Sequence, residues 1–329
     1  MIEFRRDEMR PIGKKIQKIQ MFFLDNLAWF LIVFFYFGFA IFKPAMLGID
    51  YIIFMLYSSI PLGLLVLAES IVLLSGNFDV SIDRITGFSA MLAGKLITIY
   101  SIDPYLALLL PLIFGTLCGS LNGFLIGYLG LNPFIITLGT YMVFNGAILI
   151  VSPTSIWHLP EPYLFLGKNI VASISSFIFI LILLAFFLKF FRIGRRIYMT
   201  GGNPQAALML GVNVKMTVFL AFMIDGLLCG IAALTLTGFN AAVPVNIATG
   251  YTFPAFAGAV LGGISLKGGR GSVLNAFAGV LLLSVINAGL VLFAIREEVR
   301  WVITGALVAS ALIIDKLREI VREKVAKGI

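Results

Sequence analysis

Charged residues are scarce in this sequence. Aspartate, glutamate, lysine and arginine together make up 12% of the 329 residues, roughly half the share that soluble domains carry. Hydrophobic residues account for 60% of the chain, and apolar runs of about 20 residues recur along nearly its whole length. This excludes a soluble domain. It predicts an all-α polytopic membrane protein, because a helix in lipid satisfies its own backbone hydrogen bonds.

Cysteine and histidine are almost missing. The two cysteines, Cys118 and Cys229, lie inside apolar segments, and the one histidine, His158, stands in a loop beside prolines. This argues against a disulfide scaffold, and we expect no metal site. We also find no cysteine–histidine pair and no close pair of carboxylates at depth, so we expect no catalytic residues.

The sequence contains no phosphate-binding loop of the usual kind. Its glycine-rich turns lack the Lys-Ser or Lys-Thr ending of such a loop, so we expect no ATP and no other cofactor on this chain. The net charge is +8, but the basic residues are spread over loops rather than clustered with aromatic ones. This pattern argues against a nucleic-acid partner.

Ten apolar segments can be interpreted as membrane spans. They are Leu27–Phe42, Tyr51–Leu74, Ile85–Tyr100, Tyr105–Leu129, Phe134–Val151, Ile170–Phe191, Met216–Phe239, Tyr251–Leu261, Val273–Phe293 and Trp301–Ile314. The eighth segment is too short for an ordinary span. It is a half-helix, a re-entrant segment, or a span that irregular backbone completes.

Positive charge predicts the orientation of these spans. If both termini are cytoplasmic and all ten segments cross, most of the 24 lysines and arginines fall inside, as the positive-inside rule requires. The inside set includes Arg84 and the basic residues before residue 20. The exceptions are Lys43, Lys95, Lys168, Arg296 and Arg300. This parity favours a full traverse from Tyr251 to about Ser265.

The predicted organisation is one transmembrane domain over residues 1–329. Its largest cytoplasmic loop is 192–215, and its basic tail, 315–329, reads as a short amphipathic helix that anchors at the membrane interface. Four glycines at a spacing of four, from Gly115 to Gly127, predict a close helix–helix contact, and Gly226 and Gly230 repeat the spacing once.

A short apolar helix is predicted within the cytoplasmic loop. Asn203 suits the N-cap, Pro204 the first helical position and Gly211 the residue just past the end. The predicted helix, Pro204 to Leu210, is apolar on nearly every face. A two-turn apolar helix outside the membrane needs a covering surface, so we expect it to dock into a partner protein.

Ionisable residues inside the spans are the default candidates for function. These are Glu69, Lys95 and Asp225. Similar depths allow a Lys95–Asp225 pair, although Lys95 could instead extend outward to the interface. Asn122 and Asn145 are further polar groups within spans, suited to helix–helix hydrogen bonds or to contact with a substrate.

Two glycine-containing turns interrupt the apolar pattern. The first, Ser75–Ser81, predicts a broken helix with Ser81 as the next N-cap. The second is Gly262–Ser272. Aligning Gly76 with Gly262 also aligns Arg84 with Arg270, which suggests an internal duplication, as in many transporters, or chance similarity.

Four stretches, in this order, resemble one known family. They are Leu73–Ser81, Asn132–Gly139, Gly201–Val212 and Leu261–Val273. On these residues the chain resembles the permease subunits of ribose-type sugar ABC importers, over about residues 50 to 315. Some residues depart from the family's pattern: Gln205 stands where glutamate is usual, Asn77 and Asp83 replace glycines, and Glu69 and Asp225 are unusual acids.

The resemblance implies a complete import system in the cytoplasmic (inner) membrane of a prokaryote. Its parts are a second permease, identical or homologous, ABC ATPase subunits that hold ATP and Mg, and an external solute-binding protein. The solute is a sugar or a similar small polar molecule. The family's coupling helix, which contacts the ATPase, corresponds here to Asn203, Pro204, Gln205, Ala206, Ala207, Leu208 and Gly211.

Two matters stay open from the sequence. The translocation pathway is expected near polar side chains and unwound turns, at Asn77, Asn145, Gly262, Gly263 and Ser265. The alternative function is an ion-coupled secondary transporter, in which Glu69 and Asp225 bind protons or sodium and no ATPase is needed.

Overall fold

The structure is a computed structural model that describes Phe23 and residues 26–327. Fourteen α-helices form within the described residues. In chain order, α1 to α14 are Leu27–Phe42, Ile49–Leu74, Ile82–Tyr100, Pro104–Ala107, Leu109–Gly123, Pro133–Val151, Glu161–Lys168, Ile170–Phe190, Arg192–Gly202, Pro204–Met209, Val214–Asn240, Thr252–Leu261, Val273–Leu292 and Glu297–Lys327. A 3-10 helix, Pro44–Leu47, follows α1, and a π-helical turn, Phe124–Tyr128, follows α5. The all-α prediction is confirmed.

Within the part of the chain that the structure describes, six helical stretches are long and apolar enough to cross a membrane. They are α2, α6, α8, α11, α13 and the continuous stretch Pro104–Tyr128, which contains α4 and α5. Helices α1 and α12 are apolar but shorter. The predicted segments agree with the helices to within about three residues, except the last. The basic residues before residue 20, predicted to be cytoplasmic, lie outside the described residues.

Helix α11 occupies the centre of the bundle and packs against α2, α3, α5 and α7. Its contact with α5 is the glycine face that the sequence predicts. A Cβ on Gly119 would lie 2.8 Å from Gly226 Cα, and one on Gly123 would lie 2.7 Å from the Phe219 carbonyl oxygen. Because these distances leave no room for a side chain, only glycine permits this approach of the two backbones.

The C-terminal helix differs from its prediction. Instead of a span followed by a separate tail helix at 315–329, α14 runs unbroken through Glu297–Lys327. Arg318, in the predicted tail, is buried and donates to the carbonyl oxygens of Val260 at 2.8 Å and Leu261 at 3.1 Å. The tail is therefore packed against the end of α12. This contact with the protein was not predicted, since the sequence suggested only an anchor at the membrane interface.

Helices α2 and α12, which precede the two glycine-containing segments, end in the same kind of turn. At the end of α2, Gly76 N–H donates to Leu73 and Asn77 N–H to Val72. At the end of α12, Gly263 N–H donates to Val260, and the next residue closes the same pattern. Both glycines have positive φ, +82° and +98°. This is the Schellman motif, which also ends α10, α11 and α13, so it does not decide between an internal duplication and chance similarity.

Two irregular segments enter the interior of the bundle. Residues 75–81 turn back after α2, and their backbone is satisfied by side chains: Thr137 Oγ1 accepts from Val80 N–H, and Thr252 Oγ1 donates to the Val80 carbonyl. Residues 241–251 lie between α11 and the short helix α12. Irregular backbone therefore precedes α12 and also follows it at residues 262–272, the side on which the sequence predicted it.

Candidate functional site

The helix predicted within residues 192–215 forms as α10, Pro204–Met209, one residue shorter than expected. Asn203 Oδ1 accepts from Ala206 N–H at 3.0 Å, which is the predicted N-cap bond. Gly211 has φ +76°, and its N–H and that of Val212 close the C-terminal turn. Both capping predictions are confirmed. The sequence missed the amphipathic helix α9, which leads into α10.

The surface of α10 is apolar and open. Leu208, Met209 and Leu210 are 58%, 89% and 73% exposed, and Asn203, Pro204, Gln205 and Ala206 are exposed beside them. Ala207 is buried, so it holds α10 onto the bundle and does not belong to the open face. An apolar patch of this kind, on a helix end with satisfied caps, marks an interaction surface.

The base of α10 is fixed by a junction of four glycines, Gly76, Gly201, Gly268 and Gly269. A Cβ on Gly201 would lie 2.6 Å from Gly269 N and 2.9 Å from Gly76 N, and would also collide with the Leu74 carbonyl oxygen. Gly269 N–H donates to that carbonyl at 2.9 Å. The end of α9, the end of α2 and the loop after α12 therefore meet backbone to backbone at this junction.

Ion pairs hold the loop after α12 against α14. Lys267 and Lys316 both pair with Glu319. The hydrogen bonds from Lys267 and Lys316 hold the pKa of Glu319 below its usual value. Three residues predicted for the translocation pathway lie at the end of α12 and in this loop: Gly262, Gly263 and Ser265. Asn77, offered with them, lies in the turn after α2 and donates to Ser75 Oγ at 2.9 Å.

A polar cluster lies beside the middle of α6. Arg84 Nη1 donates to Asn145 Oδ1 at 3.1 Å, and the Arg84 guanidinium stands 5.1 Å from the centre of the Tyr141 ring. Asp83 Oδ1 lies 3.4 Å from Arg84 Nε, and Asp83 Oδ2 accepts from Gly250 N–H at 3.1 Å. Asn145 comes twelve residues after Pro133, roughly 18 Å along the helix.

This cluster contains one predicted pathway residue, Asn145. Another member, Arg84, lies elsewhere than the sequence predicted. Arg84 is buried at the middle of α6, so its placement among the cytoplasmic loop charges is wrong. The reason is that 75–81 folds back into the bundle and carries the start of α3 inward. Asn145 and Gly250 are exposed. The cluster thus exposes an amide side chain and the Gly250 backbone, with the Arg84 cation buried beside them, a set able to bind hydroxyl groups.

A cavity of about 650 Å³ borders the same irregular segment. It lies between α2, α13, α14 and residues 249–251, and Gly250 belongs both to its wall and to the Asp83 cluster. Its lining is largely apolar, with Trp301, Ser58, Ser284 and Asn287 among it. This volume falls within the range of small-molecule sites, about 300–1,000 Å³. The sequence missed Asp83, Gly250 and Trp301, because nothing local brings them together.

The three predicted intramembrane charges do not lie together: Glu69 and Asp225 are close to each other in the interior, and Lys95 is apart from them. Lys95 is half-buried on α3 and forms no ion pair with Asp225, or with any other residue that the structure describes. The Lys95–Asp225 pairing is therefore wrong. Asp225 instead faces Glu69 and Asp79, and all three side chains are fully buried. The expectation that no close carboxylates occur at depth is also wrong.

Comparison with known proteins identifies relatives of this arrangement. The model of a family described as "Branched-chain amino acid transport system / permease component" matches residues 51–312. The D-allose transport system permease protein AlsC of Escherichia coli (strain K12) is 32% identical over 257 residues, which cover 76% of this chain and 78% of AlsC.

A second group of relatives is named for a different solute, autoinducer 2. The autoinducer 2 import system permease protein LsrD of Enterobacter sp. (strain 638) is 29% identical over 276 residues, 80% of this chain and 84% of that protein. LsrD of Escherichia coli (strain K12) is 29% identical over 287 residues, 84% of this chain and 87% of LsrD. No solved structure matches the chain significantly.

Proposed function

Since the chain belongs to this family of transport-system permease components, we propose that it moves a sugar or a similar small polar solute inward, driven by ATP hydrolysis on a partner subunit. Relatives named for D-allose and autoinducer 2 support a small polar solute. The open apolar face of α10 is the observation that carries the ATP-driven mechanism, since the chain itself shows no nucleotide-binding motif.

The ATPase contact is assigned to α10. Leu208, Met209 and Leu210 form an apolar face that aqueous solvent does not favour, and their exposure, up to 89% at Met209, leaves the whole face available to a partner. Gln205 and Ala206 extend the surface at the N-terminal end of the helix. Gln205 is neutral, so we expect apolar contact to dominate over ion pairing at this interface.

The glycine junction transmits movement from α10 to the helices. Gly201 lies three residues before α10. It contacts the C-terminal end of α2 and the loop after α12. These backbones are in direct contact with no side chains between them, so we expect a displacement of α10 to displace both the end of α2 and the loop after α12. Helix α2 leads into 75–81 and α12 follows 241–251, so both irregular segments are connected to the ATPase contact.

The solute path is assigned to the Asp83–Arg84–Asn145 cluster and the adjoining cavity. Both border the start of α12, a short helix with irregular backbone before it. Transporters bind polar solutes at such discontinuous helices, where unpaired backbone groups and polar side chains are available. Trp301 stands near Gly250 and closes one side of the cavity.

The membrane arrangement follows from these assignments. We place ten crossings, with both termini and α10 cytoplasmic, in the inner membrane of a prokaryote. The six clear spans are supplemented by α1, α3, the 241–261 traverse and α14. The partners are ATPase subunits with ATP and Mg, a second permease, an external solute-binding protein and membrane lipid.

The test is reconstitution of the permease in liposomes with the ATPase of its own transport system, with D-allose as the probe solute. We expect Met209→Asp with Leu210→Asp to reduce ATPase binding at least tenfold and to abolish ATP-dependent uptake. The matched control is Trp157→Asp, at an exposed apolar residue in a different loop from the one that carries α10. This variant should retain ATPase binding and ATP-dependent uptake. Wild-type ATPase binding by the double variant would contradict the docking assignment. Uptake without any ATPase would contradict the importer function.

A further inference from the structure

The buried carboxyl cluster, Glu69, Asp79 and Asp225, has no part in the transport mechanism proposed above. Its members come from α2, the 75–81 segment and α11. Their side chains have no solvent exposure. The carboxyl groups of Asp79 and Asp225 lie within hydrogen-bonding range of one another, and Glu69 is close enough to interact with both. No ion pair joins any of the three to a lysine or arginine that the structure describes.

Hydrogen bonds distinguish Asp79 from the other two members. Asp79 Oδ1 accepts from Ser81 N–H at 2.6 Å and from Ser81 Oγ–H at 2.5 Å. Asp79 Oδ2 accepts from Asn122 Nδ2 at 3.2 Å. Three donors to one carboxyl group are typical of an ionised carboxylate. They also explain why Ser81 does not cap α3 with its hydroxyl, as the sequence predicted: that hydroxyl is committed to Asp79.

Glu69 and Asp225 accept no hydrogen bond of normal geometry from the described residues, although the Asp79 backbone N–H faces Glu69. No backbone or side-chain donor among the described residues is placed to satisfy either oxygen of these two carboxyl groups, or Asn122 Oδ1. Asn122 is fully buried, and its amide group points into the cluster through its bonds to Asp79 and Ser81. Five buried acceptor atoms therefore lack donors in one small volume, whereas buried polar atoms are ordinarily paired.

The lack of donors indicates that the carboxyl groups of Glu69 and Asp225 bind positive charge from another source. Two ionised carboxylates without partners, placed beside the Asp79 carboxylate, would each carry a large desolvation penalty, and the three charges would repel one another. A proton on each carboxyl removes its charge and turns one acceptor into a donor. A metal ion is the other way to supply positive charge, but no three histidine, cysteine, aspartate or glutamate groups in the described residues are placed to hold one.

We propose that Glu69, Asp79 and Asp225 form a proton-binding site that holds two protons at neutral pH, one on Glu69 and one on Asp225. Asp79 is the ionised member, and Asp225 donates its proton to Asp79. The other titratable groups that face the cluster are the thiols of Cys118 on α5 and Cys229 on α11. Of the two basic residues on α3, Arg84 is engaged with Asp83 and Asn145, and Lys95 forms no ion pair with a described residue.

The position of this site connects it to the moving parts. Asp79 belongs to the segment that joins the glycine junction to the start of α3, where Asp83 and Arg84 stand. Loss of the protons would place three like charges between α2, α5 and α11. Their repulsion would loosen 75–81, so the site makes the packing of this segment depend on proton occupancy.

Infrared spectroscopy of the purified permease in liposomes tests the proposal without any ATPase. We expect the carbonyl stretch of protonated carboxylic acid groups at neutral pH in sodium-free buffer, shifted by exchange into heavy water. Glu69→Gln and Asp225→Asn should each remove about half of it, and the double variant should remove nearly all. Glu161→Gln, at an exposed carboxylate paired with Lys168, is the matched control and should leave the band unchanged.

The wild-type spectrum alone can overturn the proposal, whether or not the variants fold. Absence of a protonated carboxyl band at neutral pH would show that the cluster is ionised. A band that disappears when sodium is added would show that the cluster binds a cation instead, and would also overturn it. A band that survives in the double variant would assign the protons elsewhere. None of these results bears on ATPase binding to α10, so the two proposals fail separately.

Discussion

Arg318 Nη1 donates to the carbonyl oxygen of Val260 at 2.8 Å, and the same guanidinium reaches Leu261. This contact joins the last helix of the chain to the end of α12. Helix carbonyls at a C-terminus have no partners within the helix, and a cation there also favours the helix dipole. The buried guanidinium therefore does for α12 what a capping residue does elsewhere.

We expect Arg318→Met to lower the free energy of unfolding by on the order of 2 kcal/mol, because it keeps the apolar stem but removes the donor to Leu261 and one of the two donors to Val260. Thermal unfolding of the purified permease measures this. Lys316→Gln changes an exposed ion pair two residues away and should cost less than about 1 kcal/mol. Equal effects of the two changes would contradict a capping role.

Gly201 and Gly202 offer a matched pair for the glycine junction. Gly201→Ala places a Cβ against the backbone of two other segments, at Leu74–Gly76 and at Gly269, whereas at Gly202 the nearest atom to such a Cβ is 3.9 Å away. We expect the first change to destabilise the protein by about 1–3 kcal/mol and to reduce ATP-dependent uptake. The second should stay within about 0.5 kcal/mol of wild type. Wild-type uptake by Gly201→Ala would show that the junction transmits no movement.

Arg84 and Lys95 lie on the same helix but differ in their surroundings. Arg84→Gln leaves the buried Asp83 without its cation, so we expect destabilisation by about 3 kcal/mol and at least a tenfold loss of D-allose uptake. Lys95→Gln should change little, because Lys95 forms no ion pair with a described residue. Arg84→Lys keeps the charge but loses the planar donor geometry. If it restores stability without restoring uptake, Arg84 contacts the solute.

Glu319 predicts a pH dependence at the far end of α14. Its pKa is held below the ordinary carboxyl value by Lys267 and Lys316, so the ionised form is favoured in the folded protein. The resulting stability is present above the ordinary pKa and is lost as the pH falls through the lowered one.

Unfolding of wild type and Glu319→Gln across the acid range measures this effect. We expect the variant to be the less stable protein at neutral pH and the two curves to converge in acid. High salt should shrink the neutral-pH difference, because the pair is exposed. A difference that grows in acid would contradict the assignment.

Several elements followed directly from local sequence. The apolar runs determined the helices, since a lipid-facing segment must both lack charge and reach a minimum length. Asn203, Pro204 and Gly211 determined α10, because capping involves only residues within one turn of each other. The glycines of α5 and α11 indicated their contact in the same way, as a repeat on one helix face.

Other elements were out of reach of such reasoning. Helix α9 is amphipathic and basic, so it resembles a loop in hydropathy. The tail after Ile314 continues α14 because Arg318 finds buried carbonyls on α12, a contact 58 residues apart in the chain. Gly250 and Asp83 are separated by 167 residues, and no periodicity within either segment indicates that they meet.

The sequence by itself determined that this protein is helical, that it spans membranes and that one short apolar helix is left uncovered, because each of these depends on hydropathy and capping within a few turns. Only the tertiary structure decided which polar groups meet. The return of 75–81 into the bundle carries Asp79 to Glu69 and Asp225, and carries Arg84 to Asn145. Packing of distant segments thus turned isolated charges, each costly alone in a low-dielectric interior, into two polar clusters.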